Sequence, residues 1–377
     1  MLLASRRIRG YNPVNDLLNG EGVVAVTVLA FLLVFSIVVF VHELGHFTVA
    51  KLSGVRVEEF GFGYPPRLVR VARRGDTDYT INAIPIGGFV RVAGDENPDD
   101  PRSLTKKSAW TRAGFLVAGP VMNVVLAVVL FGASYMMGVL QPTVGPGVGI
   151  YDVAAGSPAA HAGLQLGDVV LSVDGQPVNS PEALQQMVNA HLDQEIALTV
   201  QRNGAQLPQP VRLVPRSEHP ADEGAMGVRT GPPLTRAAYP FGQAIILGAE
   251  RALGTVVMMV GGLAEMVRGQ APLDLAGPIG IAQATGEVIK SGFVQLVEWT
   301  AFLSVNLFII NLLPIPALDG GRLVFVALEL VRGGRRVDPQ KEGLVHLVGI
   351  VVLLGLFLIV SYFDVLRLVR GMQFPGP

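Results

Sequence analysis

The chain contains no cysteine. That absence excludes a disulfide framework and any thiolate metal site, so a bound metal would have to be held by histidine or carboxylate. Charge is scarce as well: Asp, Glu, Lys and Arg make up 16% of the 377 residues, against about 25% in soluble domains. The deficit argues for a membrane protein. A formal net charge of -1 leaves no basic excess, and no basic stripe offers itself to nucleic acid, so no nucleic-acid partner is expected. Histidine is also rare, six in all, which makes two of them four residues apart informative.

What is present in abundance is apolar sequence, half of the chain. Spanning a bilayer takes about 20 apolar residues, and residues 23–41, 113–140, 299–318 and 347–363 are runs of that kind. The first is too long for a signal peptide, and no small-residue cleavage site lies after it. Its end carries instead Phe40-Val41-His42-Glu43-Leu44-Gly45-His46-Phe47. Residues four apart share a helix face, so His42 and His46 can address one metal, and Glu43 lies one position round, within reach of a water on it. Ionisable groups at membrane depth are costly and mark function.

Residues 51–112, between the first two runs, carry Arg67, Arg70, Arg73 and Arg74 among other basic residues, and the connection before the last run carries Arg332, Arg335, Arg336 and Lys341. Positive charge stays inside, so both connections are expected in the cytoplasm and the middle of the chain outside. Arg6, Arg7 and Arg9 in the N-terminal arm argue the other way, but the two loops agree with each other. Strands are expected at residues 68–71 and 79–82 around Gly75, and the breaker-rich run 84–90, with Gly87, Gly88 and Phe89, reads either as a β ribbon dipping to the membrane beside the site or as an ordinary cytoplasmic hairpin.

The middle region reads as a small α+β domain. A short helix should end at Gly163, and Asp174-Gly175 should make a hairpin turn. A helix is expected from Ser180 as N-cap to about Ala190, with Pro181 in its first turn, then strands at 195–202 and 209–214 joined by Asn203-Gly204. The phrase from Ser157 to Val178 resembles a PDZ domain of bacterial envelope proteases, a fold that binds extended peptides by strand addition. Gly224, Met226 and Gly227 are then placed in the loop that would take a peptide C-terminus. Residues 239–270 are expected as an amphipathic helix on the membrane surface, because the uncharged stretch 252–264 is too short to span.

A zinc hydrolase uses three protein ligands and an open position. Asp319 is the best third candidate, since the spans bearing it and the histidines both arrive from outside and end on the same side. The sequence Asn311-Leu312-Leu313-Pro314-Ile315-Pro316-Ala317-Leu318-Asp319-Gly320-Gly321 carries it. Asn123 is a polar group inside an apolar span, open to a tie between helices or a place in the site. His346, at the head of the last run, is expected to be an interfacial residue and not a fourth ligand.

With His42-Glu43-Leu44-Gly45-His46, Gly61-Phe62-Gly63, Gly87-Gly88-Phe89, Gly119-Pro120-Val121-Met122-Asn123, Gly277-Pro278-Ile279-Gly280 and the Asn311-to-Gly321 segment together, the chain resembles the site-2 protease family of intramembrane zinc metalloproteases, in its bacterial RseP-type branch, with room for one PDZ domain. The resemblance implies a polytopic α-helical membrane protein of about four transmembrane helices with a membrane-associated β ribbon and one extracytoplasmic PDZ domain. Its parts would be an N-terminal arm (1–20), a first transmembrane helix (21–53), a β region (54–112), a second transmembrane helix (113–140), the PDZ domain (146–230), the interfacial helix (239–270), a third transmembrane region (276–321), a cytoplasmic loop (322–343) and a fourth transmembrane helix (344–366). It implies Zn2+ held by His42, His46 and Asp319, with Glu43 as general base. It implies substrate contacts from Asn311, Pro314, the ribbon and Asn123. It further implies residence in the bacterial cytoplasmic membrane with the site near the cytoplasmic face. The partners it implies are single-span proteins, such as anti-sigma factors or remnant signal peptides, and peptide C-termini at the PDZ domain. The alternative is a membrane-anchored PDZ scaffold with a degenerate metal site.

Overall fold

The apolar run preceding the two histidines continues without a breaker, and Glu21–Leu52 forms one helix, α1. The computed structural model describes residues 21–93, 100–154, 156–220, 223–270 and 276–369; the N-terminal arm of residues 1–20 lies outside them. Strands β1 (Val57–Arg74) and β2 (Thr77–Val92) pair antiparallel into a long ribbon. The two short strands expected from sequence are the outer parts of this ribbon. Its return strand lies on α1: Ser36 Oγ donates to Pro85 O at 3.1 Å and accepts from Gly87 N at 3.2 Å. Glu59, buried near the base, accepts from Arg67, Thr80 and Arg91. Helix α2 (Ala109–Met137) comes next, with Pro120 inside it.

The chain divides into two compact units, one of residues 135–240 and one of the rest. In the smaller unit β3 (Val139–Pro142) pairs with β11 (Leu234–Ala237) as a separate ribbon. Between them run β4 (Val148–Val153), α3 (Pro158–His161), β5 (Val169–Val173), β6 (Gln176–Pro177), α4 (Pro181–Asn189), β7 (Ile196–Arg202), β8 (Ala205–Gln206), β9 (Val211–Leu213) and β10 (Val228–Gly231). The main sheet has the order β10-β4-β5-β7-β8, with β6 also on β5 and β9 also on β7. The local chemistry explains the corners. Ser180 Oγ accepts from Ala183 N to cap α4, and Asp174 and Asn203, each preceding a glycine, take positive φ in the tight hairpins. Ile196, Leu198 and Val200 point inward at period two, onto Ile150, Val170 and Leu184.

In the larger unit the chain resumes as α5 (Phe241–Val267), α6 (Pro278–Ser291), α7 (Phe293–Leu312), α8 (Asp319–Val331) and α9 (Pro339–Val369). Among the described residues five helices are long and apolar enough to cross a membrane: α1, α2, α5, α7 and α9. The sequence predicts four and lays residues 239–270 on the surface. α5 packs along its neighbours in the larger unit. Gly248 meets Gly132 and Val128 of α2 backbone to backbone, and Ala252 shares a core with Ala127, Phe131, Ala301 and Val305. Small residues of this kind let helices approach closely in a bilayer. In the third run the helix stops at Leu312 and residues 313–318 are not helical. Pro314 and Pro316 supply no amide hydrogen to continue it. Part of the loop expected at 322–343 is α8. Near its C-terminal end the buried Glu329 accepts from Arg112 at 2.5 Å and from Arg336 at 3.3 Å.

Candidate metal centre

The helical repeat puts His42 and His46 one turn apart on α1, with their Nε2 atoms 3.1 Å from each other. Asp319, the first residue of α8, brings Oδ2 to 3.1 Å from His42 Nε2 and 3.3 Å from His46 Nε2. These three form the only cluster of metal-ligating side chains among the described residues. Donors bound tetrahedrally at about 2.0 Å would stand about 3.3 Å apart, so the triangle has the size of one face of a zinc site. Asp319 Oδ2 is buried without a hydrogen-bond donor, an arrangement that costs free energy unless a cation faces it. The donor set and its spacing fit zinc.

Each imidazole is oriented from α2. His46 Nδ1 lies 2.8 Å from Phe115 O, and a carbonyl can only accept, so the proton sits on Nδ1 and Nε2 is free to bind a metal. His42 Nδ1 lies 3.2 Å from the Asn123 side-chain amide, and Asn123 Oδ1 is buried with no donor. Turning that amide over lets Oδ1 accept from His42 Nδ1–H, which satisfies both groups and frees the second Nε2. Between these partners on the same stripe of α2 stands Gly119. A methyl there would lie 2.7 Å from His42 Nε2 and closer still to His46 Nε2. Residues 115, 119 and 123 recur every fourth position, so one face of α2 supplies an acceptor, a gap and an acceptor. Gly45 of α1 allows the approach, since any side chain there would strike Ala118 O.

Glu43 is half-buried and lies within electrostatic reach of His42, His46 and Asp319. Its methylenes face Gly88 of β2, where a Cβ would stand 3.1 Å from Glu43 Cβ. Gly87 and Gly88 are both buried against α1, and Phe89 is half-buried with its ring 6.4 Å from that of Tyr64. Asn311 donates to Leu307 O on its own helix at 3.0 Å, and Pro314 is exposed. Gly320 and Gly321 fold α8 back onto the backbone of residues 312–316, leaving no room for a side chain.

In the smaller unit, Gly227 N donates to Gly224 O at 2.8 Å, the Met226 side chain is buried, and Met226 O accepts from Ala159 N. Sequence reasoning missed Phe115, which contributes only a carbonyl, and gave no role to Gly119, which stands in a quoted motif and contributes only space.

Comparison with known proteins agrees in kind. A profile of peptidase family M50 matches residues 30–356. A Clostridium acetobutylicum protein, whose name assigns it provisionally to the zinc metalloproteases, is 36% identical over 341 residues, 89% of this chain and 96% of its own. The zinc metalloprotease RasP of Oceanobacillus iheyensis is 31% identical over 433 residues, 91% of this chain and 99% of its own. The regulator of sigma-W protease RasP of Bacillus subtilis is 29% identical over 429 residues, covering 91% and 99%.

Proposed function

Because the chain belongs to peptidase family M50 and is a zinc metalloprotease of the site-2 type, we propose that it is an endopeptidase cutting the transmembrane segments of single-span proteins. The observation that carries this reading is the triangle of His42, His46 and Asp319 at 3.1–3.3 Å on apolar helices. His42, His46 and Asp319 hold the zinc. When bound, the metal supplies Lewis acidity, lowering the pKa of water to about 7 and polarising the scissile carbonyl. Glu43 would serve as the general base, its carboxylate taking a proton from the attacking water and returning it to the leaving amine.

A peptide bond in a helix is shielded by its own hydrogen bonds, so the substrate span unwinds locally to be cut. The β1–β2 ribbon, lying on α1 beside Glu43, offers a strand edge to replace the bonds lost. Asn311 and Pro314, at the end of α7 ahead of the turn that carries Asp319, contact the unwound segment. The smaller unit acts as a single PDZ domain outside the membrane, reading or filtering substrate ends through the loop at Gly224, Met226 and Gly227, while the metal sits near the cytoplasmic face. The name of the Bacillus subtilis relative ties that protein to sigma-W regulation, and a membrane-bound anti-sigma factor is the substrate class we propose here.

Co-expression with a tagged single-span substrate tests the roles. Glu43→Gln is expected to retain zinc and lose cleavage; Asp319→Ala is expected to lose both. Undiminished cleavage in either variant rejects that residue's assignment. A scaffold with a degenerate site would carry no zinc and would be indifferent to Glu43→Gln.

A further inference from the structure

The segment joining α7 to α8 delivers Asp319, and it does so through an unusual turn. Leu318 N donates to Ile315 O at 3.2 Å, which closes a four-residue turn with Pro316 second and Ala317 third. Ala317 has φ +78°. Proline at the second position and positive φ at the third are the marks of a type II turn, whose third position is normally glycine. The other non-glycine residues with positive φ among those described are Asp174, Asp193 and Asn203, types that tolerate the left-handed region. Ala317 has no such side chain, and with the central peptide turned over it would relax into a type I turn.

What opposes the flip stands on α9. Ala317 N donates to His346 Nδ1 at 2.9 Å. In a type I turn the same N–H would point the other way and this bond would be lost. His346 accepts at Nδ1 only if its proton is on Nε2, which faces Glu342 Oε1 at 3.9 Å. The ring packs on Phe325 of α8, centroids 5.5 Å apart. One helical turn on, Gly349 lets α9 close onto Pro316, where a methyl would meet Pro316 O at 2.6 Å.

We infer that His346 is a positioning residue for Asp319: by accepting the Ala317 N–H it selects the type II form of the 315–318 turn and so sets the carboxylate beside His42 and His46. The inference rests on the reading of those three as zinc ligands. It assigns a task to a histidine expected, from sequence, only at the interface.

The test is the rate at which full-length protein in detergent releases Zn2+ to a chromogenic chelator. Asparagine places an oxygen where Nδ1 stands, and glutamine places one where Nε2 stands. His346→Asn should release zinc near the wild-type rate, and His346→Gln on the order of tenfold faster, as when the supports of metal ligands are removed. Ala317→Gly, which makes the type II turn favourable by itself, should restore slow release to His346→Gln. Packing alone would not be rescued in this way. Equal release from Asn and Gln variants, or no rescue by Ala317→Gly, overturns the inference, as does a His346→Gln chain that fails to fold even with Ala317→Gly. Asp319→Ala separates the premises. If it releases zinc like wild type, the ligand reading fails and takes this inference with it. If it loses zinc while His346→Gln keeps it, only the positioning role fails.

Discussion

Replacing Gly119 by alanine should empty the metal site without unfolding the helix that carries it. The added methyl would lie 2.7 Å from His42 Nε2, with His46 Nε2 nearer still. An ordinary contact needs about 3.5 Å, so the His42 imidazole must retreat by about 0.8 Å and the His46 imidazole by more. Zinc ligands tolerate displacements of only about 0.2 Å. Neither ring can retreat freely, because both are tied at Nδ1 to α2, the helix that brings the methyl. In a helix interior, glycine to alanine is itself favourable by about 1 kcal/mol, while overpacking costs about 1–3 kcal/mol. The metal-free chain should therefore change in stability by less than about 2 kcal/mol, whereas zinc affinity falls by at least the 10- to 100-fold typical of disturbed ligand support. Zinc per chain by elemental analysis, cleavage of a tagged substrate, and unfolding in chelator measure the three quantities. A Gly119→Ala protein with full zinc and wild-type cleavage would refute the placement of α2 against the two histidines.

Asn123→Leu removes the acceptor from His42 Nδ1 and should weaken zinc binding about 10- to 100-fold; Asn123→Asp keeps an acceptor there and should bind more tightly than the leucine variant in chelator competition. Glu329→Ala leaves the half-buried Arg112 without this partner and should destabilise the larger unit by about 2 kcal/mol, read from denaturant unfolding, with the double variant Arg112→Ala/Glu329→Ala losing less than the two single losses combined. For Glu59, burial pushes the carboxyl pKa up, but hydrogen bonds from Arg67 and Thr80 and the charges of Arg67 and Arg91 outweigh it and hold the value below the usual range. A depressed folded pKa gives stability that is present above the ordinary carboxylate value and lost as pH falls through the lower one. Hydrogen exchange in the ribbon should therefore quicken below about pH 4, and Glu59→Gln should remove that dependence.

Local chemistry is what the sequence displays best. Ser180 before Pro181, Asp174-Gly175 and Asn203-Gly204 each announce a cap or hairpin within four residues, and the structure has those elements within one or two residues of their expected ends. His42 and His46 were legible for the same reason, since their pairing is a property of one helix. The third member needed a partner element, and only the ends of two spans pointed to Asp319. Residues 313–318 remain apolar after α7 has stopped at Leu312, so the apolar run outlasts the helix, and the sign of its end is the missing amide donor at Pro314 and Pro316. Glu250 and Arg251 interrupt the apolar stretch of α5 and make it read as a surface helix, and local pattern does not reveal the neighbours that its small-residue face at Gly248 and Ala252 finds in distant parts of the chain. Phe115 and Gly119 left the weakest trace. One acts through a backbone carbonyl that any residue would provide, and the other through the atoms it lacks.

The centre is therefore assembled from parts with different freedom. The histidines belong to a half that is packed backbone on backbone. Gly45 admits Ala118, Gly88 admits Phe40 and Glu43, and Gly119 admits the imidazoles themselves. Contacts made through glycine have no side chain that can swing aside, and the two Nδ1 bonds fix the rings to the same helix. Asp319 belongs to the other half. It comes after a six-residue non-helical segment, and the Ala317–His346 bond ties that segment to α9. α9 is the most exposed of the five long helices in the larger unit, the apolar side chains along its length facing outward. A metal bound by both halves joins them, because its third ligand is the one whose position depends on α9.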